Sequence, residues 1–157
     1  MATVIDGTTG ITQLKGAGTT TNDNAAAGQV GEFKEQNLNY SAASGISSNV
    51  VVNILSLTLD AGDWDVEGMV GFNPAASTSI TQLIGGLSLT SATLDYTCAW
   101  VRPMPAYVPG AANLIAHATP RKRISVAVPT VVYLVAYSLF TVNTLSAYGR
   151  ISARRVR

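Results

Sequence analysis

Charge is what this chain has least of. Of its 157 residues only 12% are Asp, Glu, Lys or Arg, about half the ~25% of an ordinary soluble domain. Ser, Thr, Asn, Gly and Ala take their place. A surface so poor in charge suits a large assembly better than a free monomer. Ten basic residues against nine acidic ones leave a net charge of +1. No global field therefore draws the chain to nucleic acid or to an anionic membrane, and neither is expected as a partner.

Chemistry-bearing residues are equally scarce. The single cysteine, Cys98, excludes an internal disulfide and reads as a small buried hydrophobe. The single histidine, His117, excludes a zinc site of the usual ligand types within one chain. A Ser-His-Asp or Cys-His relay would have to use it, and no G-x-S-x-G motif accompanies it. Gly7, Gly10, Gly16 and Gly18 lie in a Thr-rich stretch rather than between a strand and a helix, so no phosphate loop is present. No catalytic residue, cofactor or metal is assigned. The start, MATVIDGTTG, has neither a basic n-region nor an apolar h-region, so no secretory leader is expected.

There is one long apolar run, ISVAVPTVVYLVAYSLF at 124–140, which carries no charge over 17 residues. That is the lower edge of membrane-spanning length. Its β-branched residues, the internal Pro129, and Thr141, Asn143 and Thr144 directly after it favour strand instead. The run is read as two successive strands, or one long strand, buried on both faces, without membrane insertion.

What is there is a series of strand signals. Residues 50–72, VVVNILSLTLDAGDWDVEGMVGF, read as two strands around a turn at Asp60-Ala61-Gly62-Asp63, a hairpin in which Gly62 is free to take positive φ. Trp64, Val66, Val70 and Phe72 alternate onto one side, and Asp63, Asp65 and Glu67 onto the other, wet side. In 49–59 the phase slips between Val50, Val52, Ile54 and Leu55, Leu57, Leu59, which a bulge or two-sided burial explains. Further strands are expected at 29–34, at 77–89 with Gly85-Gly86 as a turn or bulge, at 93–101, 121–128 and 131–142, and at 148–156. In 93–101, Leu94, Tyr96, Cys98 and Trp100 share a face. Residues 102–120 hold Pro103, Pro105, Pro109 and Pro120 and read as a long loop.

The fold class is therefore all-β: an antiparallel two-sheet sandwich of seven to nine strands, jelly-roll-like, spanning 29–157. Residues 1–28, rich in Thr, Gly, Asn and Ala, form a short extended N-terminal arm that orders on docking. Strands apolar on both faces need two covers, and the second is most simply another copy of the chain.

The charges that exist are segregated. Asp60, Asp63, Asp65 and Glu67 form one cluster, and Arg121, Lys122, Arg123 with Arg150, Arg154, Arg155 and Arg157 form two others. Arg121, Lys122, Arg123, Arg154 and Arg155 are candidate subunit-interface charges. The four acids are the only hard-cation or glycosidase candidates. Alternation along the strand already accounts for three of them as an outer face.

LSLTLDAGDWDVEGMVGF resembles a pattern in tailed-bacteriophage virion proteins, in which a strand, a Gly-Asp-Trp-Asp-Val turn and a strand ending in Phe open a β-domain. The matching residues are Leu57, Leu59, Ala61, Gly62, Trp64, Val66, Gly68 and Phe72. The end of the chain resembles that family's closing strands through Tyr148, Gly149, Ile151, Ala153, Arg154, Arg155 and Arg157, and Gly31-Glu32 resembles its opening. The resemblance implies a trimeric jelly-roll-like domain with a structural or host-binding role and no catalysis. The short arm departs from long-shafted fibres and favours a small virion protein: a short fibre, a tip or a head decoration. Its arm would engage other virion proteins. Tyr107, Asn113 and His117 are candidate contacts to a host-surface glycan or protein. A cement protein clamping capsid subunits is the alternative, and a glycan-binding or glycan-cleaving protein a third reading.

Overall fold

The computed structural model describes residues 24–108 and 114–157. Among them ten strands run in order: β1 (Phe33–Leu38), β2 (Ser44–Ile46), β3 (Val52–Leu59), β4 (Gly62–Pro74), β5 (Ser79–Ser88), β6 (Ala99–Tyr107), β7 (Ile115–Ala118), β8 (Lys122–Val126), β9 (Thr130–Thr141) and β10 (Leu145–Arg155). They make two antiparallel sheets. The first has the order β1-β10-β4-β7, with β2 also on β10 and β8 also on β4. The second has the order β3-β9-β5-β6.

Two strands are each broken into collinear halves. A 3-10 turn at Tyr40–Ala42 separates β1 from β2. Pro120, which has no N–H to offer, separates β7 from β8. Thr119 keeps the second break in register: its N–H donates to the Gly68 carbonyl at 2.7 Å and its Oγ1 accepts from the Gly68 N–H at 2.9 Å. Counting each broken pair as one strand, the sheets read first-eighth-third-sixth and second-seventh-fourth-fifth. Every connection except the one from β5 to β6 crosses between sheets, which is the jelly-roll winding.

The core lies between the sheets. Trp64, Val66, Val70 and Phe72 of β4 are wholly buried, as their alternation requires, and meet Leu59, Leu83, Leu87, Val132, Leu134 and Ile151. The expected hairpin at 50–72 is corrected. β3 and β4 belong to opposite sheets, so the turn between them is a crossover. The reason is that Leu57 and Leu59 on one side of the turn and Trp64 and Val66 on the other are all buried, and facing sheets let them pack on one another. Gly62 has φ +145, as the turn demanded. The slip in β3 is a bulge between Asn53 and Leu55, with Ile54 as the extra residue.

Other boundaries move for identifiable reasons. The first strand begins at Phe33 rather than at Gln29, because the chain turns there: the Glu32 N–H donates to the Gln29 carbonyl. Gly85 and Gly86 are neither turn nor bulge. They pair regularly with β6 and β9, and a Cβ on Gly85 would stand 2.9 Å from the Trp100 ring. Residues 93–98 are not a strand. Asp95 accepts from the Thr97 N–H and caps a 3-10 turn at Tyr96–Cys98, leaving Tyr96 exposed and Cys98 buried. The expected loop at 102–120 holds most of β6 and all of β7. Pro103 and Pro105 are tolerated because β6 is an edge strand. Residues 124–140 are the end of β8, a turn and most of β9. Val128 is exposed in that turn, not packed with Ile124. Among the described residues no helix is long and apolar enough to cross a membrane.

One buried side chain ties the terminal strand to the rest. Arg155 is 5% exposed. Its Nε donates to Glu32 Oε2 at 2.9 Å and its Nη1 to the Ala61 carbonyl at 2.8 Å, while its guanidinium lies 4.3 Å from the Trp64 ring centroid. Trp64 Nε1 donates to the Asp60 carbonyl at 2.9 Å. Gly62 has a second reason to be glycine, since a Cβ there would collide with Arg155 Nη1. Burial pushes the Glu32 carboxyl up, but the Gly28 N–H and the Arg155 guanidinium outweigh it and hold it below its ordinary value.

Removing one member of a buried pair strands the other. Arg155→Ala is expected to cost about 3–5 kcal/mol in urea unfolding. An unchanged midpoint would contradict this clamp. Val142 supplies a separate test of the backbone. It is a β-branched residue at φ 59 in the exposed turn between β9 and β10. Val142→Gly relieves that strain and is expected to raise stability by about 1 kcal/mol in the same assay.

Candidate functional site

The acidic strip on β4 and the basic run before β9 meet within one chain. β8 pairs with the first half of β4, setting Trp64 opposite Ile124 and Asp65 opposite Arg123. Asp63 Oδ1 and Oδ2 accept from Arg123 Nε at 2.9 and 3.0 Å, and Oδ2 also accepts from Arg157 Nε at 2.6 Å. Asp63 is therefore only 3% exposed, not part of a wet face as alternation alone predicts. Arg121 reaches Glu67 at 3.4 Å and Asp65 at 3.8 Å. Lys122 pairs with Asp95, and Asp60 with Lys34 at 2.5 Å. Arg154 stands 5.7 Å over the Phe33 ring and has no carboxylate partner among the described residues. Among the described residues no three His, Cys, Asp or Glu side chains converge there as a metal site would need. The hydrogen bonds from Arg123, helped by those from Arg157, hold the Asp63 carboxyl down at about 2. The Lys122 ammonium and the Thr97 donors do the same for Asp95, also to about 2.

The outer faces of the two sheets differ in kind. On the first, β4, β8 and β10 present Asp65, Glu67, Arg123, Arg150 and Arg154. On the second, the pairing register places Asn53, Ser56 and Thr58 of β3 beside Val131, Tyr133, Val135, Tyr137 and Leu139 of β9. Gln82, Ile84, Gly86 and Ser88 of β5 and Ala99, Val101 and Pro103 of β6 complete that face. None of these residues carries a charge. Leu139 and Val101 are 40% and 46% exposed. This is the two-sided apolar strand of the sequence, seen in place: Val132, Leu134, Ala136 and Phe140 point inward while the other set points out.

The third feature is a cleft of about 570 Å³ where the free edges of β6 and β7 face each other across the mouth of the sandwich. Tyr107 and His117 both line it, with Arg102, Met104, Leu114 and Ile115. His117 is therefore a strand residue, not a loop residue, and Tyr107 ends β6. Asn113, the third expected contact, lies outside the described residues. Arg102 Nη1 donates to His117 Nε2 at 3.0 Å, and the His117 ring packs 4.6 Å from that of Trp100. Arg102 was not legible as a cleft residue, because its face depends on β6 being a strand despite its prolines. Ala106, between Pro105 and Tyr107, has φ 39. The register against β5 shifts at that point, so a bulge aims Tyr107.

No family model matches the chain, and no curated protein matches it in sequence. Among solved structures, that of the infectious bursal disease virus Gx strain is similar in β-rich fold over 80% of this chain, at 12% identity and a TM-score of 0.45. The chain spans 32% of the length of that protein.

Two outcomes follow from this geometry. Asp63 and Asp95 have folded-state values depressed below their ordinary 3.8. Their contribution to stability is present in full above about 3.8 and is lost as the pH falls toward about 2. Chemical unfolding between about pH 5, above the ordinary carboxylate values, and about pH 2 should show that loss, and Asp63→Asn should make it shallower. An unchanged slope in the variant would count against the Arg123–Asp63–Arg157 pairing. Secondly, Ala106→Gly should leave thermal stability equal or higher, where glycine within a regular strand costs about 0.5–1 kcal/mol. A loss of that size would contradict the strained bulge.

Proposed function

We propose that the chain is a non-enzymatic structural protein of a virion, assembled as a homotrimer and exposed on the particle as a short fibre or knob. The observation that carries this reading is the uncharged outer face of the second sheet. In an isolated chain it leaves Leu139 and Val101 exposed and Tyr133 and Tyr137 half-buried, and exposed apolar surface of this kind marks interaction sites. Ile84, Ser88 and Val135 on this face are already buried by the chain itself, and a second copy would cover the exposed Leu139 and Val101. A three-fold ring does so with one repeated contact in which each copy sets this face against a different surface of its neighbour. The charged face of the first sheet remains outside that contact, with Arg154 free to pair across a boundary. Two further observations support the family reading. The Gly-Asp-Trp-Asp-Val turn and the Arg-rich terminus, the two motifs of the phage resemblance, are bonded to each other through Trp64, Ala61 and Arg155. The acids that a glycosidase would need are instead engaged by Arg121, Arg123 and Arg157.

In this reading the arm at 1–28 joins the trimer to other virion proteins, and the β6–β7 cleft, carrying Tyr107 and His117, faces a host-surface glycan or protein. Sedimentation is the test of assembly. The expected mass is three times 16.3 kDa, about 49 kDa, and Leu139→Arg should reduce it to that of one chain without unfolding it. A wild-type mass of 16.3 kDa at every concentration would contradict the trimer. Imaging of the particle tests the site: density on the tail or at a spike supports the fibre, and density between capsomers supports the cement alternative.

A further inference from the structure

We propose that the cleft between β6 and β7 binds an acidic saccharide, with Arg102 taking its carboxylate and Tyr107 its ring. The inference deepens the host-contact reading by naming the ligand class. The cleft is built within one copy of the chain, so its binding can be measured without a particle.

The observations are electrostatic and geometric. Among the described residues every other basic side chain except Arg154 has a carboxylate of this chain within ion-pair distance. Arg102 has none, although it stands in the cleft wall, and its one side-chain bond is to a histidine. Because an arginine only donates, His117 Nε2 accepts, and the neutral ring carries its proton on Nδ1. That bond and the Trp100 ring behind it fix His117, and His117 fixes one arm of the guanidinium. The remaining donors of Arg102 form a fork suited to a carboxylate. A cation held in place with no counter-ion among the described residues is preorganised for an anion from outside.

The rest of the lining selects the body of that anion. Pro103, Met104, Pro105, Leu114 and Ile115 make the rest of the lining apolar, and Tyr107, 41% exposed, offers a ring face with a hydroxyl at its tip. The volume of about 570 Å³ falls within the range of small-molecule sites. Arg102, Tyr107 and Leu114 of the lining are exposed, so an apolar acid there would keep part of its surface wet. A pyranose suits it better: its C–H face covers an aromatic ring, its hydroxyls stay in water, and its carboxylate meets Arg102. The left-handed Ala106 supports this independently, since strained backbone beside a cleft is a recurrent mark of a site that orients a side chain.

The test is a titration of the intact chain followed by NMR of the arginine Nε–H and histidine ring signals. The probes are N-acetylneuraminate, glucuronate, glucose and acetate. Both acidic sugars are expected to move the Arg102 and His117 signals, and glucose to move neither. Acetate should bind about ten-fold more weakly than the acidic sugars. Arg102→Ala should weaken both acidic sugars about ten-fold or more, with Arg102→Lys falling between. Tyr107→Ala should weaken the acidic sugars and leave acetate unchanged. Glucose binding as well as glucuronate, affinity surviving Arg102→Ala, or no movement of either signal would each overturn the proposal. Equal binding of acetate and the acidic sugars would overturn the saccharide assignment. A failure here with a 49 kDa particle mass (about three chains of 16.3 kDa) would remove the ligand and leave the structural role standing.

Discussion

The fold depends on one guanidinium held where water cannot reach it. Arg155 ends the last strand, and its partners come from the first turn, the β3–β4 crossover and the core indole. The Glu32 contact spans 123 residues of sequence. A charge so buried is tolerable only when its hydrogen bonds are satisfied and its counter-charge is buried with it. That requirement explains Gly62, which leaves room for the guanidinium, and the clustering of Ala61, Trp64 and Glu32 around it. It also explains why two motifs at distant points of the chain belong together: they are the two halves of one contact. Backbone bonds reinforce it, as the Arg155 N–H donates to the Glu32 carbonyl and the Gly31 N–H to the Arg155 carbonyl.

With the terminal strand fixed, the winding follows. β10 lies between β1 and β4, and β9 lies between β3 and β5, so the two last strands are the central members of both sheets. Nearly every pairing is therefore long-range, and closure of the sandwich depends on the end of the chain. The consequence for function is the contrast between the outer faces. The first sheet pairs its charges internally except at Arg154, which lies over the Phe33 ring. The second presents none: Leu139 and Val101 are exposed on it, Tyr133 is half-buried, and half-buried Tyr137 donates its hydroxyl to Asn49 Oδ1 at 2.9 Å. Among the described residues, most of the charges belong to the first sheet and its turns. The other side is left for assembly.

The core of this arrangement was legible in the sequence because it rests on local alternation. Trp64, Val66, Val70 and Phe72 had one phase and took one side. The phase slip near Ile54 was a bulge. What alternation could not reveal was which sheet a strand joins. That is set by contacts with distant strands, and the 50–72 turn became a crossover for this reason. Nor could it show that Asp63 would be covered, because its cover comes from Arg123, 60 residues away. Proline misled in the opposite direction. Pro103 and Pro105 read as loop, but an edge strand accepts them, and with β6 thus hidden the cleft around Arg102 and His117 was hidden too. At 93–98 the apolar alternation was real, and the Asp95 cap overrode it.

The account turns on whether the uncharged face of the second sheet is covered by another copy of the chain. Hydroxyl-radical footprinting of the protein in solution measures this residue by residue. Tyr96, 68% exposed in the 3-10 turn before β6, serves as the accessible reference. The account predicts that Tyr96 is oxidised readily while Tyr133, Tyr137 and Leu139 are protected, and that dilution to single chains restores their labelling. Ready oxidation of Tyr137 and Leu139 at every concentration would contradict it.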